Sequence, residues 1–271
     1  MVTASSVWSD IARIRARSPL VHNITNYVVM NITANALLAI GASPVMAHAV
    51  EEVEEMVGLA SALVINIGTL SPPWIESMER AARAARARGV PIVLDPVGAG
   101  ATALRTRAAR RLLADSPPAV LRGNPSEILA VAGGAATTRG VDSAAQVDAA
   151  RAAAHALSKA HGCTVVVSGP VDLVVRGDAE IRVGNGTPLL GRVTGMGCTA
   201  TALIGAFVAI NGDATAAAAH AMAVMGIAGE LAAETAGGPG TFQALFLDAL
   251  ARLSEAEVTA RLKVESDETR G

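Results

Sequence analysis

Cysteine, lysine and aromatic residues are scarce in this chain of 271 residues, and each scarcity closes a route. Cysteine occurs only as Cys163 and Cys198, too few for the disulfide framework of a small secreted domain. A reducing, cytoplasmic setting is the expectation. Lysine occurs only as Lys159 and Lys263, and neither stands in a G-x-x-x-x-G-K-S/T loop, so ligand binding through a Walker A motif is excluded. Aromatics make up 2%, which leaves Ala, Val, Leu, Ile and Met to build a core. Neither sign of charge dominates: 22 Lys and Arg face 24 Asp and Glu, a net charge of −2 with no basic run. Such a chain offers no electrostatic footprint for nucleic acid and no polybasic segment for a membrane surface. Charged residues are 17% and hydrophobic ones 51%, a balance that excludes intrinsic disorder. Apolar runs are interrupted by Asn, Thr, Gly or Asp before the ~18 residues of a membrane span. The first 17 residues lack the apolar stretch of a secretory signal, and Val7, Ile11 and Ile14 have the spacing of a first helix.

What the chain does contain is alternation. Residues 20–24, 44–47, 62–67, 92–94, 119–122 and 164–167 read as strands, and 173–176 with 181–183 as a hairpin around Gly177-Asp178. Helical patterns lie between the first six, over 27–40, 50–60, 73–88, 102–114, 127–132 and 143–160, with Gly41, Gly89 and Gly162 as helix stops. Three further helices follow Gly195, over 198–210, 214–236 and 241–253. Short connections between strands and helices imply an α/β fold with a mainly parallel sheet, and the uniformly apolar strands imply helices on both faces. No linker or repeat divides residues 1–271, so one domain is expected, with residues 266–271 frayed.

Ligands of open parallel sheets bind beyond the carboxyl ends of the strands. One such end carries Asp95-Pro96-Val97-Gly98-Ala99-Gly100, and the next carries Arg122-Gly123-Asn124-Pro125-Ser126-Glu127. Two carboxylates at adjacent strand ends, with no lysine between them, suit a hydrated Mg²⁺ that bridges phosphates. The alternative is an ordinary turn aspartate and a glutamate that complements a helix dipole. Ser168, after the sixth strand, suits either a phosphate or a simple turn.

The strongest local feature is Val193-Thr194-Gly195-Met196-Gly197-Cys198-Thr199. A Gly-x-Gly turn that runs straight into a helix presents backbone N–H groups to an anion, and these suit the charge of a transferring phosphoryl group. At the helix start the dipole favours a thiolate, so Cys198 is expected to have a depressed pKa and to act as a base, unless it is a small packing residue. Cys163 has no such setting and reads as structural. The N-terminal third adds His22-Asn23-Ile24-Thr25-Asn26 and Gly41-Ala42-Ser43-Pro44-Val45-Met46-Ala47-His48, strand ends suited to a small, partly apolar substrate. Among the histidines, His155, His161 and His220 read as surface or packing residues, and no histidine pair has metal spacing.

These segments, together with Asn66-Ile67-Gly68-Thr69, make the chain similar to the hydroxyethylthiazole kinase family of ribokinase-like enzymes, from about Pro19 to Leu253. Asn-Pro-x-Glu and Gly-x-Gly are widespread among ribokinase-like proteins; cysteine at position 198, where most of them carry aspartate, is the discriminating letter. The resemblance implies a three-layer α/β/α fold without a separate lid. It also implies ATP- and Mg²⁺-dependent phosphorylation of 4-methyl-5-(2-hydroxyethyl)thiazole by a cytoplasmic homotrimer with sites near subunit contacts. Carried over by position, Met46, Gly195 and Asn26 would meet the thiazole alcohol. Arg122, Ser168 and Gly197 would meet ATP, Asp95 and Glu127 would organise Mg²⁺, and Cys198 would face the hydroxyl. Some family members have threonine where Ser168 stands, which keeps the hydroxyl. The alternatives are a relative acting on another small alcohol such as hydroxymethylpyrimidine, a silent nucleotide-binding protein, and a cysteine hydrolase lacking an evident histidine partner.

Overall fold

The structure, a computed structural model, describes residues 2–133 and 143–267. The chain opens with α1 (Ala4–Arg17), which buries Val7, Ile11 and Ile14 and starts at a capping box between Thr3 and Ser6. A first run follows of β1 (Leu20–Ile24), α2 (Met30–Ile40), β2 (Ser43–Val45), α3 (Val53–Leu59), β3 (Ala62–Asn66), α4 (Pro72–Arg88), β4 (Ile92–Asp95) and α5 (Ala103–Asp115). It continues through β5 (Val120–Gly123), α6 (Pro125–Ala132), α7 (Ser143–His161), β6 (Thr164–Val167), β7 (Asp172–Arg176) and β8 (Ala179–Val183). A 3₁₀ turn (Pro188–Arg192) leads into α8 (Met196–Val208), α9 (Ala214–Ala233), α10 (Pro239–Arg252), α11 (Glu255–Arg261) and β9 (Val264–Asp267). Left-handed glycines end α2 and α4, at Gly41 and Gly89, where the sequence places stops, and Gly162 adopts the same conformation after α7.

The nine strands of the described residues form one sheet in the order β2-β1-β3-β4-β5-β6-β7-β8-β9. The first six in that order are parallel, and the last three join antiparallel. Side chains alternate across the sheet, so each face has its own core. Val21, Val64, Val93 and Val120 face α1, α2, α8, α9 and α10. Leu63, Ile65, Leu94 and Leu121 face α3 to α7. The result is the expected α/β/α sandwich. Among the described residues α9 is the one helix long and apolar enough to cross a membrane, but 78% of its apolar window is buried within the protein. Its small residues let it pack deep in the first core.

The sequence reading departs from the structure at several boundaries. Residues 27–29 form a turn before α2, held by Val29 N donating to the Asn26 carbonyl at 3.2 Å. Ser266 and Asp267, expected to fray, instead complete β9, paired with β8 in the register Ile181↔Ser266. A polar strand of four residues has no apolar pattern to announce it; pairing to β8 creates it. Residues 268–271 lie outside the described ones. The helix α11 and the 3₁₀ turn also had no reading.

Candidate active site

β3 and β4 are parallel neighbours, and their last residues, Asn66 and Asp95, stand in register. Asn66 Nδ2 donates to Asp95 Oδ2 at 2.9 Å, and Thr201 Oγ1, one turn into α8, donates to the same oxygen at 2.7 Å. Asn66 Oδ1 accepts from Asn26 Nδ2 and from Gly68 N, both at 2.9 Å. Asn26 Nδ2 also points to Cys198 Sγ at 3.7 Å. Ends of β1 and β3 thus join β4 and the start of α8 in one buried chain of polar groups, from the thiol to the carboxylate.

Asp95 is 1% exposed, and its Oδ1 has no hydrogen-bond partner. Burial pushes its pKa up to about 7; Arg122 opposes this, Glu127 adds to it, and the bonds from Thr201 and Asn66 oppose it. Glu127 is the third residue of α6 and closes a capping box: Oε2 accepts from Asn124 N at 2.8 Å while Asn124 Oδ1 accepts from Glu127 N at 2.9 Å. Its Oε1 accepts from Gly98 N at 2.8 Å, in the loop after β4. The capping alternative is therefore real, and the same bonds turn the carboxylate toward the Asp95 loop.

Cys198 is half-buried in the first turn of α8, which starts at Gly195 with φ +90° and has no side-chain cap. Its expected depressed pKa is overturned. Burial pushes the thiol up to about 11, the nearby Asp95 carboxylate adds to that, and Asn66, Arg122 and Asn26 only partly oppose it. A helix terminus contributes about 0.3–1 kcal/mol, less than one pKa unit. Desolvation beside a carboxylate is the larger effect. Cys163 is fully buried, and burial raises its pKa likewise to about 11, in keeping with a structural role.

Arg122, on β5, reaches across to α8. A methyl group on Gly197 would lie 3.0 Å from Arg122 Nη1, a tight approach that the absence of a side chain at 197 leaves free. Arg122 Nε is buried without a partner. Beyond it opens a cavity of about 530 Å³, lined by Arg122, Ser168, Asp172 and Gly197. Its walls come from the segment Asn185 to Gly191 and from Met222, Met225 and Gly226 of α9. Ser168 is held by its amide donating to the Gly123 carbonyl at 2.9 Å. Asp172 accepts from Gly169 N at 2.9 Å, and burial raises its pKa to about 6 against that bond and Arg122.

Asp95, Glu127, Arg122, Ser168, Gly197, Cys198 and Asn26 thus lie along one sheet edge. Gly195 packs against Val29 and Ile32 behind it. Met46 follows β2 at the same edge, half-buried, with no hydrogen bond to the Cys198 network. His22 is buried and bonded to the Ala47 carbonyl at 2.7 Å, and His48 lies edge-on to Trp74. Sequence reasoning gave no role to Asn66, Thr201 or Asp172. Asn66 ends β3, the signal that had found Asp95, whereas Asp172 opens the antiparallel β7 and reaches the same edge only because that strand runs back. Thr201 had none beyond its place one turn after Gly197.

A sequence model of the hydroxyethylthiazole kinase family matches residues 11–256. The hydroxyethylthiazole kinase of Syntrophus aciditrophicus is 57% identical over 268 residues, 98% of this chain and 99% of that one. That of Nitratidesulfovibrio vulgaris strain Miyazaki F is 56% identical over 95% of this chain and 97% of its own. Among solved structures, a hydroxyethylthiazole kinase protein from Pyrococcus horikoshii superposes with a TM-score of 0.90 at 46% identity, over 97% of this chain and all of that one. A pyridoxal kinase from Staphylococcus aureus, 16% identical with a TM-score of 0.65 over 92% of this chain and 98% of its own, shares the fold.

Proposed function

The chain belongs to the hydroxyethylthiazole kinase family, and from that membership we infer that it phosphorylates the hydroxyl of 4-methyl-5-(2-hydroxyethyl)thiazole with ATP, as a phosphotransferase of thiamine biosynthesis. The observation that carries the reading at the level of the site is the position of Gly197. It stands between the polar chain ending in Cys198 and the cavity of Arg122, at a helix start with no side-chain cap. A phosphoryl group entering there meets amides and a guanidinium, and phosphoryl transfer needs little beyond such positioning and charge.

In this reading Arg122, Ser168 and Gly197 hold ATP, and Met46, Gly195 and Asn26 hold the thiazole alcohol. The Cys198 thiol, protonated at neutral pH with its pKa near 11, orients the hydroxyl as a weak acceptor rather than removing its proton. In a loose transition state that proton leaves late, so orientation serves. Asp95 and Glu127 fit a hydrated divalent cation. Asp95 Oδ1 is buried without a partner, Glu127 faces the same loop, and Mg²⁺ takes one or two carboxylates and keeps its waters. When bound, Mg²⁺ would neutralise the polyphosphate charge.

Residues 1–271 act as one kinase domain in the cytoplasm. The homotrimer is supported by Tyr27 and Val28, 65% and 71% exposed directly after Asn26, which a neighbouring subunit would cover.

The test is an assay of ATP with the thiazole alcohol, with hydroxymethylpyrimidine and with no acceptor, each with and without Mg²⁺. A monophosphate of the thiazole alcohol with equimolar ADP, formed only with Mg²⁺, is expected. Turnover of hydroxymethylpyrimidine alone would reassign the substrate, and ATP binding with no acceptor turned over would remove the kinase reading.

A further inference from the structure

Arg105 lies outside every motif of the sequence, yet it ties together the two loops on which the site is built. It stands in the first turn of α5, where its amide donates to the capping Thr102 hydroxyl at 3.3 Å. Its Nη1 donates to the carbonyls of Ile67 and Val97, each at 2.9 Å, and its Nη2 to the carbonyl of Gly68 at 2.9 Å. Ile67 and Gly68 follow β3, and Val97 follows β4. One planar guanidinium therefore crosslinks the loops after Asn66 and Asp95.

Each loop passes the constraint on. Gly68 N donates to Asn66 Oδ1, and Asn66 in turn holds Asp95 and Asn26. Gly98, next to Val97, donates its amide to Glu127 Oε1 at 2.8 Å and packs against the Arg105 stem. Both carboxylates of the site, which come from different elements, are thus set by loops that share this one side chain. A lysine ammonium is a point donor and lacks the second nitrogen that reaches Gly68 while the first bridges Ile67 and Val97.

We propose that Arg105 is a positioning residue for phosphoryl transfer: by fixing the β3 and β4 end loops it holds Asp95 and Glu127 where they share one hydrated divalent cation. The proposal rests on the kinase reading above. A control lies on the same helix. Arg110 also donates to backbone carbonyls, those of Val131 at 3.2 Å and Ala130 at 2.6 Å, but at the far end of α6.

The experiment measures ADP affinity of the purified full chain by calorimetry, with and without Mg²⁺, and the Mg²⁺ midpoint of kinase activity. Wild type, Arg105→Met, Arg105→Lys and Arg110→Met are compared. Metal-free ADP affinity should stay within about twofold of wild type in all three variants, since the cavity of Arg122 and Ser168 is untouched. In Arg105→Met the affinity gained from Mg²⁺ should shrink by about tenfold and the activity midpoint rise by a similar factor, the usual cost of removing a support behind metal-binding groups. Arg105→Lys should fall between, and Arg110→Met should lower the melting temperature without moving the midpoint. A midpoint in Arg105→Met within about twofold of wild type would overturn the proposal, as would an equal shift in Arg110→Met. If Arg105→Met does not fold, Arg105→Lys is judged by the same criteria. A wild-type chain that turns over no thiazole alcohol breaks the kinase reading instead, and the calorimetry still decides the role of Arg105; wild-type ADP binding that gains nothing from Mg²⁺ overturns it.

Discussion

At the ends of β3 and β4 the polar side chains are bonded to one another; at the ends of β5 and β6 they face a cavity. Asn26, Asn66 and Thr201 spend donors on one another and on Asp95 Oδ2, and Cys198 is drawn into the same chain. Arg122 keeps a buried Nε unpartnered, and beyond it Ser168 and the walls from Asn185 and α9 leave about 530 Å³ open. The first region is organised before any ligand arrives, as groups that act on a transition state need to be. In the second, Ser168 is bonded to the Gly123 carbonyl and Asp172 to the Gly169 amide, and Arg122 Nε keeps a donor free at the cavity. In the proposed function the chemistry falls to the first region and nucleotide binding to the second.

Substitutions in each region should separate kcat from KM. The largest effect is expected for Asp95→Asn. Asparagine keeps an oxygen for Thr201 and Asn66, so the polar chain persists while the charge is lost. We expect kcat/KM to fall by about 10³-fold. Stability of the unliganded protein should move the other way. The folded pKa of about 7 lies above the ordinary 3.8, so the native state binds this proton more tightly than the unfolded chain. The contribution of Asp95 is full below about pH 4 and is lost as pH rises through about 7. The melting temperature of Asp95→Asn minus that of wild type should therefore grow between about pH 4 and pH 8. A difference that stays flat would show that this carboxylate bears no such burden.

Next in size is Arg122→Met. It removes the cationic donor at the cavity and should cost about a hundredfold in kcat/KM for ATP, mostly through KM, with little change in KM for the thiazole alcohol. An equal loss for both substrates would erase the distinction between the regions. Smallest is Cys198→Ala, for which kcat should drop about tenfold with no change in the shape of the pH–rate profile between about pH 6 and 9, because the thiol stays protonated there. A wild-type limb near neutrality that vanishes in the variant would restore a thiolate base.

Much of this was legible in the chain. Asp95, Glu127, Arg122 and Ser168 follow apolar runs, and a parallel sheet gathers such positions at one edge whatever their separation in sequence. The Gly-x-Gly turn gave α8 its start. Thr201 was not legible, because a threonine inside a helical pattern acquires meaning only when the helix is laid across β4. Met222, Met225 and Gly226 wall the cavity from the middle of an alanine-rich helix whose sequence marks it only as core. Arg105 is one of several arginines on an amphipathic helix, and its three carbonyl partners come from two loops 37 and 8 residues away.

By itself the sequence determined the layers, the parallel sheet, the edge proposed to bind ligands and the residues offered there, since these follow from periodicity, helix caps and strand ends, which are properties of neighbouring residues. Tertiary structure alone decided how those residues behave. The thiol of Cys198 is raised rather than lowered, Asp95 stands half-satisfied in a buried net, and Arg105 governs two loops at once. Burial, and the field of charges distant in sequence, are fixed only when the sheet brings its strand ends together.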